Sequence, residues 1–543
     1  MGRFFRKAST PSIPLAPGNN DGTKDGRSAP AARESDATPA GSFLFFAVLP
    51  GWLTSAILHI VILLALALIT YRMPAKSPLK NLLVLNNSKD IAENLSEFQL
   101  DEPGELPAES ELNDALSEPT MDVVMEEAPQ LPIVDVTTSA TITEIDPLGM
   151  ESMVSGDVAE AAAGAAQALS GRSEAAKRRL VKEAGGSAGS EAAVANGLQW
   201  LAQHQNADGS WSLDHRLASS CQGACRNPGS SSRPRFAPFG ATGLALLPFL
   251  GAGHTHREGG HRRVVERGMG FLLRNIGVDG NRGLLIDEGG NYYSHGLCSI
   301  VICEAYALTK DPRLKGPAQA LMNETIYAQD PIGGGWRYRR RQTGDTSALG
   351  WQLMALKSGH MAGLKVPAST VQGASQYLDS VQSPEGFQYR YLVNPQSSAP
   401  MNPQQPRRFQ YERATSSIGL LCRMYLGWSR DDPRLEKGIQ YLSRRGPSVV
   451  TESPDLYYDY YATQAMRHFG GAPWEKWNAQ MRDRLISLQS KVGHETGSWY
   501  LKGPNTGIGG RLFCTSLATM ILEVYYRHLP VFQESAIEKE FPL

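Results

Sequence analysis

Gln205-Asn-Ala-Asp-Gly-Ser-Trp211 is a turn sequence in which a glycine stands two residues before a tryptophan. Weaker copies, with a glycine at or near an aromatic residue, occur at Gly335-Trp336, Gly386-Phe387 and Gly497-Ser-Trp499. Apolar segments recur through the same region, and small residues near their starts mark six repeats: Gly243, Gly296, Gly350, Gly419, Thr463 and Ser516. A fixed recurrence of this kind is typical of repeat architectures.

Each repeat is predicted to be a helix, a glycine-rich turn and a second helix. The first helix carries charges on one face, as in residues 264–274, whereas the second is apolar all round, as in residues 296–306. A helix that is apolar on every side is buried on every side. Six such pairs form an open solenoid or a closed double ring. The last apolar segment, 513–526, is as apolar as the middle ones, which favours the ring.

The turn motif resembles a known family. Gln205 to Trp211 fits the Gln-x-x-x-Gly-x-Trp repeat of squalene and oxidosqualene cyclases, with degenerate copies at 382–387 and 329–336. The resemblance covers about residues 191–530. It implies an all-α fold, the (α/α)6 toroid of terpenoid cyclases and protein prenyltransferases. A fold of this kind hosts many activities, so function has to be argued from the site.

The residues that carry the chemistry of these relatives are missing. Terpene cyclases protonate an alkene from Asp-x-Asp-Asp-Thr, whereas this chain reads Gln342-Thr-Gly-Asp345-Thr346. Prenyltransferases hold zinc with Asp-x-Cys and a histidine, and the corresponding places read Glu412-Arg413-Ala414 and Ala462. The Cys-Gly-Glu-Gln sequence of complement-type thioester domains is also absent. We therefore predict no metal and no cofactor, and neither cyclase nor prenyltransferase activity.

Polar residues directly precede or begin the predicted inner helices, and in a toroid these helix starts meet at one mouth. The catalytic candidates are Asp345, His295 and Asp459, and the ligand-binding candidates are Tyr460, Tyr461, Glu412, Arg413 and Arg511. The competing interpretation is that such residues are ordinary helix caps or ion pairs. Cys221 and Cys225 lie in loop 212–238 and form a disulfide if the domain is exported; metal binding is less favoured without a second cysteine pair.

Residues 52–71 contain no Asp, Glu, Lys or Arg. Twenty helical residues span about 30 Å, the hydrocarbon thickness of a bilayer. The region before them is too long for a signal peptide, so we predict a membrane anchor. Ser55 and His59 share one face of it, and this spacing resembles the TonB family of single-span anchors. The resemblance implies a proton-driven membrane partner and a periplasmic domain; the alternative is that His59 bonds a backbone carbonyl or snorkels.

The charge is segregated along the chain. Its 543 residues have a net charge of −1, but residues 91–171 hold 18 acidic and no basic residues, and residues 172–543 carry +12. Such an acidic segment does not bury enough apolar surface to fold, and +12 over this length is no nucleic-acid footprint. The predicted regions are a tail (1–42), the anchor (43–72), a largely disordered linker with short Ala-rich helices (73–190), the toroid (191–530) and a second tail (531–543).

The leading functional hypothesis is an inner-membrane protein, crossing once, whose periplasmic toroid binds a lipid-like or peptide ligand in its central cavity. The alternative is a cell-envelope enzyme that acts on an isoprenoid or a polysaccharide with the polar residues at the inner-helix starts. A purely structural role is the third possibility. The lining of the cavity discriminates between the first two, because paired carboxylates favour sugar chemistry and an apolar lining favours lipid.

Overall fold

The computed structural model describes residues 59–60, 170–230, 237–287, 291–393, 410–528 and 531–532. The first pair belongs to a separate unit, Met1–Pro78, and the remainder to a second unit. The helices of the second unit are α1 (Glu174–Glu183), α2 (Ala188–Gln203), α3 (Pro238–Gly251), α4 (Arg262–Arg274), α5 (Tyr292–Thr309), α6 (Pro312–Ala328), α7 (Thr346–Met361), α8 (Ala368–Val381), α9 (Arg413–Tyr425), α10 (Pro433–Arg445), α11 (Leu456–Phe469), α12 (Gly471–Leu488), α13 (Thr506–Leu522) and α14 (Val524–Arg527).

The odd-numbered helices from α3 to α13 form a closed inner ring. Each contacts the next, from α3 through α5, α7, α9 and α11 to α13, and α13 returns to contact α3. The even-numbered helices from α2 to α12 lie outside: α4, α6, α8, α10 and α12 each pack on the inner helix before them, while α2 packs on α13. The domain is therefore an α/α-toroid, as predicted. All six repeat markers lie on inner helices.

The Gln-to-Trp turn links neighbouring repeats by a fixed set of hydrogen bonds. Gln205 Nε2 donates to Gly209 O within its own turn and to Val264 O of the next outer helix, both at 2.9 Å. Trp211 Nε1 donates to Leu201 O at 2.7 Å. The same bonds recur in later repeats, from Gln329 and Trp336 and from Gln489 and Trp499. Each turn thus adds side-chain hydrogen bonds to backbone carbonyls of two neighbouring outer helices.

The last copy of this turn closes the ring. Gln489 Nε2 donates to Ala193 O, on the first outer helix, at 2.8 Å. The tryptophan of the same turn, Trp499, is fully buried and lies against Gly197, where an added Cβ would be 3.1 Å from its ring. The first and last repeats are thus joined by the bonds that join consecutive ones. This explains why the last apolar segment needs no polar outer face.

The packed domain begins upstream of the boundary predicted at residue 191. Leu180 and Val181 of α1 are buried, and α1 contacts α14. Trp474 Nε1 donates to Ala184 O at 3.0 Å. The helix α1 is mostly charged, but Leu180 and Val181 give it one apolar edge that packs on the domain. The part of the predicted linker from Arg172 onward therefore belongs to the domain.

Two further features bear on the expected fold. An antiparallel hairpin, β1 (Gly277–Asp279) and β2 (Arg282–Leu284), departs from the all-α prediction. It turns through Gly280 at φ +61°, a conformation suited to glycine in two-residue hairpin loops.

Of the helices that the structure describes, none combines the length and apolar character needed to cross a bilayer. The predicted span lies outside the described residues except for His59 and Ile60, which are helical and exposed.

Candidate functional site

The centre of the ring is filled by aromatic side chains. Trp351 of α7 stacks on Tyr460 of α11 with ring centroids 5.6 Å apart, and Tyr461 meets it edge-on at 5.8 Å. Near the C-terminal ends of the inner helices a cavity of about 20 Å³ remains, lined in part by Glu304, Met354 and Tyr460. A volume of this size holds about one water molecule. This cavity is too small for the lipid-like or peptide ligand expected from the sequence.

The C-terminal mouth of the ring is closed by buried ion pairs. Arg172, from the segment before α1, places Nη1 2.8 Å from Glu304 Oε2 and donates from Nε to Arg527 O at 3.1 Å. Arg527 also pairs with Glu304, at 3.3 Å, and with Glu523, at 3.4 Å. Burial raises the pKa of Glu523 to about 8, against the attraction of Arg527. This network ties the upstream segment and α14 to the ring and leaves that mouth shut.

The opposite mouth, formed by the N-terminal ends of the inner helices, contains Asp345. We call this end the N-terminal mouth. Asp345 is fully buried and caps α7, because its Oδ1 accepts from the Ala348 amide at 2.7 Å. The Tyr293 hydroxyl lies 3.4 Å from the same oxygen. Of the described residues, Arg337 is the basic partner, with Nε 3.7 Å from Asp345 Oδ2.

The contact between Arg337 and Asp345 is incomplete. Within the described part of the chain, Arg337 Nε and Asp345 Oδ2 are both buried and neither makes a hydrogen bond. Burial raises the pKa of Asp345 to about 6; the Ala348 amide, the Tyr391 hydroxyl and Arg337 oppose the rise. A buried carboxyl with such a pKa is divided between its acid and its base form near neutral pH. Asp345 thus caps α7 with one carboxylate oxygen, while its other oxygen faces the guanidinium group of Arg337 without a hydrogen bond.

Tyrosines surround this carboxyl. Tyr338 and Tyr391 share a hydrogen bond between their hydroxyls at 2.7 Å, and Tyr457 makes the same contact with Ser347 at 2.7 Å. Tyr338 keeps 37% of its surface exposed. Residues 337–341 read Arg-Tyr-Arg-Arg-Arg, and the last three of these are exposed. The N-terminal mouth therefore presents hydroxyls, aromatic faces and guanidinium groups above a buried acid.

The other two catalytic candidates do not join Asp345, and each is satisfied by the protein itself. Asp459 accepts from the Ser448 amide and hydroxyl, both at 2.6 Å, and from the Val449 amide at 3.1 Å. It anchors the turn between α10 and α11. His295 is fully buried and its Nε2 lies 3.2 Å from Leu321 O. The contacts of both residues are with the protein itself, and a catalytic role for either of them stays a prediction.

The five ligand-binding candidates are dispersed. Tyr460 and Tyr461 are buried in the filled centre. Glu412 precedes α9 without capping it through its side chain. Arg413 lies 3.9 Å from Asp455 and over the ring of Tyr458. Arg511 pairs with the carboxylate of Glu495 at 2.8 Å, near the junction of the first and last repeats. The structure therefore does not assemble them into a single site.

Four potential metal ligands meet at that junction, and the sequence analysis missed them. His204 ends α2, Cys221 and Cys225 lie in the following loop, and His494 lies in a turn between α12 and α13; one ligand atom from each lies within 4.8 Å of all the others. Cys225 Sγ is 3.4 Å from His204 Nε2 and 3.2 Å from His494 Nδ1. The cysteine pair is a local signal, but His494 lies 269 residues beyond Cys225.

The predicted disulfide is not formed. Cys221 and Cys225 are both buried free thiols. The physical reason is visible in the contacts of Cys225, whose sulfur lies against two imidazole nitrogens.

Ser55, which is predicted to face a membrane partner together with His59, lies outside the described residues.

No family model matches the chain, and no curated protein matches it in sequence. Among solved structures it is similar to the α-1,6-mannanase GH76A of Salegentibacter sp. HEL1_6, at 13% identity and a TM-score of 0.42 over 62% of this chain and 98% of that one. It is also similar to the type II terpene cyclase MstE from Scytonema, at 12% identity and a TM-score of 0.40 over 62% and 97%. These are distant matches to α/α-toroid proteins, and no function follows from them.

Proposed function

We propose that this chain is a membrane-anchored α/α-toroid that binds a peptide segment at its N-terminal mouth. One observation carries the proposal. Arg337 Nε and Asp345 Oδ2 are buried 3.7 Å apart and neither makes a hydrogen bond within the described structure. Unsatisfied buried polar atoms carry a desolvation cost of about 1–3 kcal/mol each. Both atoms are closed off from solvent, so a ligand reaches them when the side chains of the mouth move apart, and it then removes that cost by supplying one acceptor and one donor.

The chemistry of the mouth favours a peptide over a lipid. A peptide amide offers a carbonyl to Arg337 and an N–H to Asp345, whereas an alkyl chain offers neither. The surrounding tyrosines and exposed arginines are residue types that dominate the binding energy of protein interfaces. Within the run at 337–341, Arg340 pairs with Glu324, and the positive charge of the exposed Arg339 and Arg341 further favours a peptide with acidic side chains. The filled centre of the ring supports binding at the mouth, not within a central cavity.

Site-specific photo-crosslinking tests this proposal. A photoreactive phenylalanine analogue replaces Tyr338 in the full-length chain, expressed in cells. The matched control carries it at Asp431, which is exposed on the turn between α9 and α10 at the opposite mouth. We expect peptide adducts at position 338 that are absent at 431 and that disappear in the Asp345→Asn background. Adducts of lipid or polysaccharide at 338, or equal labelling at both positions, would refute peptide binding.

The raised pKa of Asp345 favours one second candidate, an envelope enzyme acting on a polysaccharide. An acid with a pKa of about 6 donates a proton efficiently near neutral pH, and sugar hydroxyls also both donate and accept hydrogen bonds. Turnover of envelope polysaccharide fragments by the purified full-length protein, lost in Asp345→Asn and retained in Asp459→Asn, would establish this function. If the wild type and Asp459→Asn both left the polysaccharide fragments unchanged, the enzyme function would be refuted for these substrates.

The anchor and its partner complete the proposal. Residues 52–71 hold the protein in the inner membrane, with the toroid in the periplasm, and Ser55 and His59 face a proton-driven membrane partner. Leucine is more apolar than histidine and partitions more readily into hydrocarbon. His59→Leu therefore inserts at least as well as the wild type but loses crosslinks from the span to another protein. Wild-type crosslinking by His59→Leu would leave the span as a tether only.

A further inference from the structure

We propose that His204, Cys221, Cys225 and His494 bind a structural zinc ion that locks the ring closed. This inference is independent of the peptide-binding proposal, since the cluster lies apart from Asp345 and Arg337. Two thiolates and two imidazoles are a ligand set typical of structural zinc sites. The Cys-x-x-x-Cys spacing falls within the range that such sites use. Four protein ligands leave no open position for a substrate.

The distances fit a tetrahedral zinc ion. With zinc bonds of about 2.3 Å to sulfur and 2.0–2.1 Å to nitrogen, the sulfur-to-nitrogen edge of a tetrahedron is about 3.6 Å. Cys225 Sγ lies 3.4 Å from His204 Nε2 and 3.2 Å from His494 Nδ1. All four ligand atoms lie within 4.8 Å of one another. Small movements of the side chains would bring every edge to the required length.

The neighbouring residues orient the ligands. His204 Nδ1 lies 2.7 Å from Trp200 O, so the ring proton sits on Nδ1 and the lone pair of Nε2 faces the two sulfurs. A backbone acceptor for the second ring nitrogen is the usual support for a zinc-bound histidine. Trp200, which is fully buried, stacks on His204 at 3.9 Å and shields one side of the cluster. A zinc ion neutralises two thiolates, which makes their burial tolerable.

The position of the cluster assigns its role. Three ligands come from the first repeat and the fourth from the last, so the ion joins parts of the chain that are separated by more than 260 residues. The same junction holds Glu495, which pairs with Arg511 at 2.8 Å and accepts from the Arg226 amide at 2.8 Å. Because the ligands meet only when the ring is closed, zinc binding contributes directly to the stability of the closed form.

Metal analysis of the full-length protein in detergent micelles is the first test. We expect about one zinc ion per chain in protein purified without chelators, and near zero in Cys225→Ser and His494→Ala. Cys422→Ala removes a buried thiol elsewhere and is the control that keeps its zinc. His494→Cys preserves a zinc-binding ligand, so it keeps zinc even if His494→Ala misfolds. Zinc retained in both Cys225→Ser and His494→Ala would overturn the assignment.

The apo protein gives a second test with zinc itself as the probe. A strong chelator lowers the apparent Tm by at least about 5 °C, and zinc restores it, because the ion binds only the folded ring. The same treatment makes Cys221 and Cys225 reactive towards a maleimide, and zinc protects them again. A metal-free protein whose mass shows the loss of two hydrogens, with these cysteines joined in one peptide, would refute the proposal in favour of a disulfide.

Discussion

Asp345→Asn exchanges the buried carboxyl at the N-terminal mouth for an amide of nearly the same shape. The amide oxygen still accepts from the Ala348 amide, which Asp345 Oδ1 does at 2.7 Å, so the cap of α7 is kept. The variant replaces Oδ2 by an NH2 group and so loses the ionisable group and its 3.7 Å approach to Arg337. Its effect on stability therefore isolates the cost of holding a charge at this position.

The magnitude follows from the pKa of Asp345, which burial raises from 3.8 to about 6. Since the folded pKa exceeds the unfolded one, the folded protein holds the extra proton between these values, and its stability falls as the pH rises from about 4 to about 6. Two pKa units correspond to about 3 kcal/mol. We expect Asp345→Asn and the wild type to have the same free energy of unfolding near pH 4. At pH 8 that of Asp345→Asn is expected to be higher by up to about 3 kcal/mol.

Urea unfolding of the two full-length proteins, followed by tryptophan fluorescence between pH 4 and pH 8, measures this difference. Asp459 and Glu523 also have raised pKa values, about 7 and about 8, but they are present in both proteins and cancel in the comparison. A wild type that is the more stable protein at pH 8 would refute the reasoning, because it would show that Arg337 stabilises the carboxylate by more than burial costs.

Three further variants test the architecture by the same unfolding assay. Asp459→Ala removes the acceptor of three hydrogen bonds from Ser448 and Val449 and costs about 3 kcal/mol, whereas a loss below about 1 kcal/mol would make its buried contacts dispensable. Gly497→Ala places a Cβ 2.3 Å from a backbone oxygen at φ +87° and costs more than about 1 kcal/mol; Gly507→Ala, which meets nothing within 4 Å, is its control and stays near the wild type. Trp351→Ala empties the centre of the ring and costs about 3–5 kcal/mol, and a neutral result would show that the centre is not packed.

Much of the ring could be predicted because its signals are local. Each apolar inner helix and each glycine beside an aromatic residue is visible within a few residues of sequence, and all six repeat markers lie on inner helices. The turn at Gly497-Ser-Trp499 is visible in the sequence, but its glutamine, Gln489, is not, because it precedes the glycine by eight residues, whereas Gln205 precedes its glycine by four. A fixed spacing misses a motif whose hydrogen bonds are conserved while its loop length varies.

The candidate site was predicted poorly because the same residue types serve as caps and as ligands. Asp345 and Asp459 both lie at the start of an inner helix, yet the first faces Arg337 without a hydrogen bond and the second accepts three. That difference depends on a neighbouring turn, Ser448–Val450, which helical periodicity does not reveal. For the His/Cys cluster the missing information is ring closure itself, which alone brings His494 to Cys225.

The lengths of the connections explain why the ligand-binding proposal belongs to the N-terminal mouth. Connections from inner to outer helices are short, as between α5 and α6 or between α11 and α12, whereas those from outer to inner helices are longer, as between α6 and α7 or between α8 and α9. Short connections leave little surface to vary, and long ones carry binding residues on a rigid scaffold. Arg337 and Tyr391 both lie in long connections, while Asp345 is fixed by its cap on α7. A mouth built from long loops over a fixed acid offers surface for a ligand outside the packed ring, whereas the C-terminal mouth is occupied by the ion pair between Arg172 and Glu304.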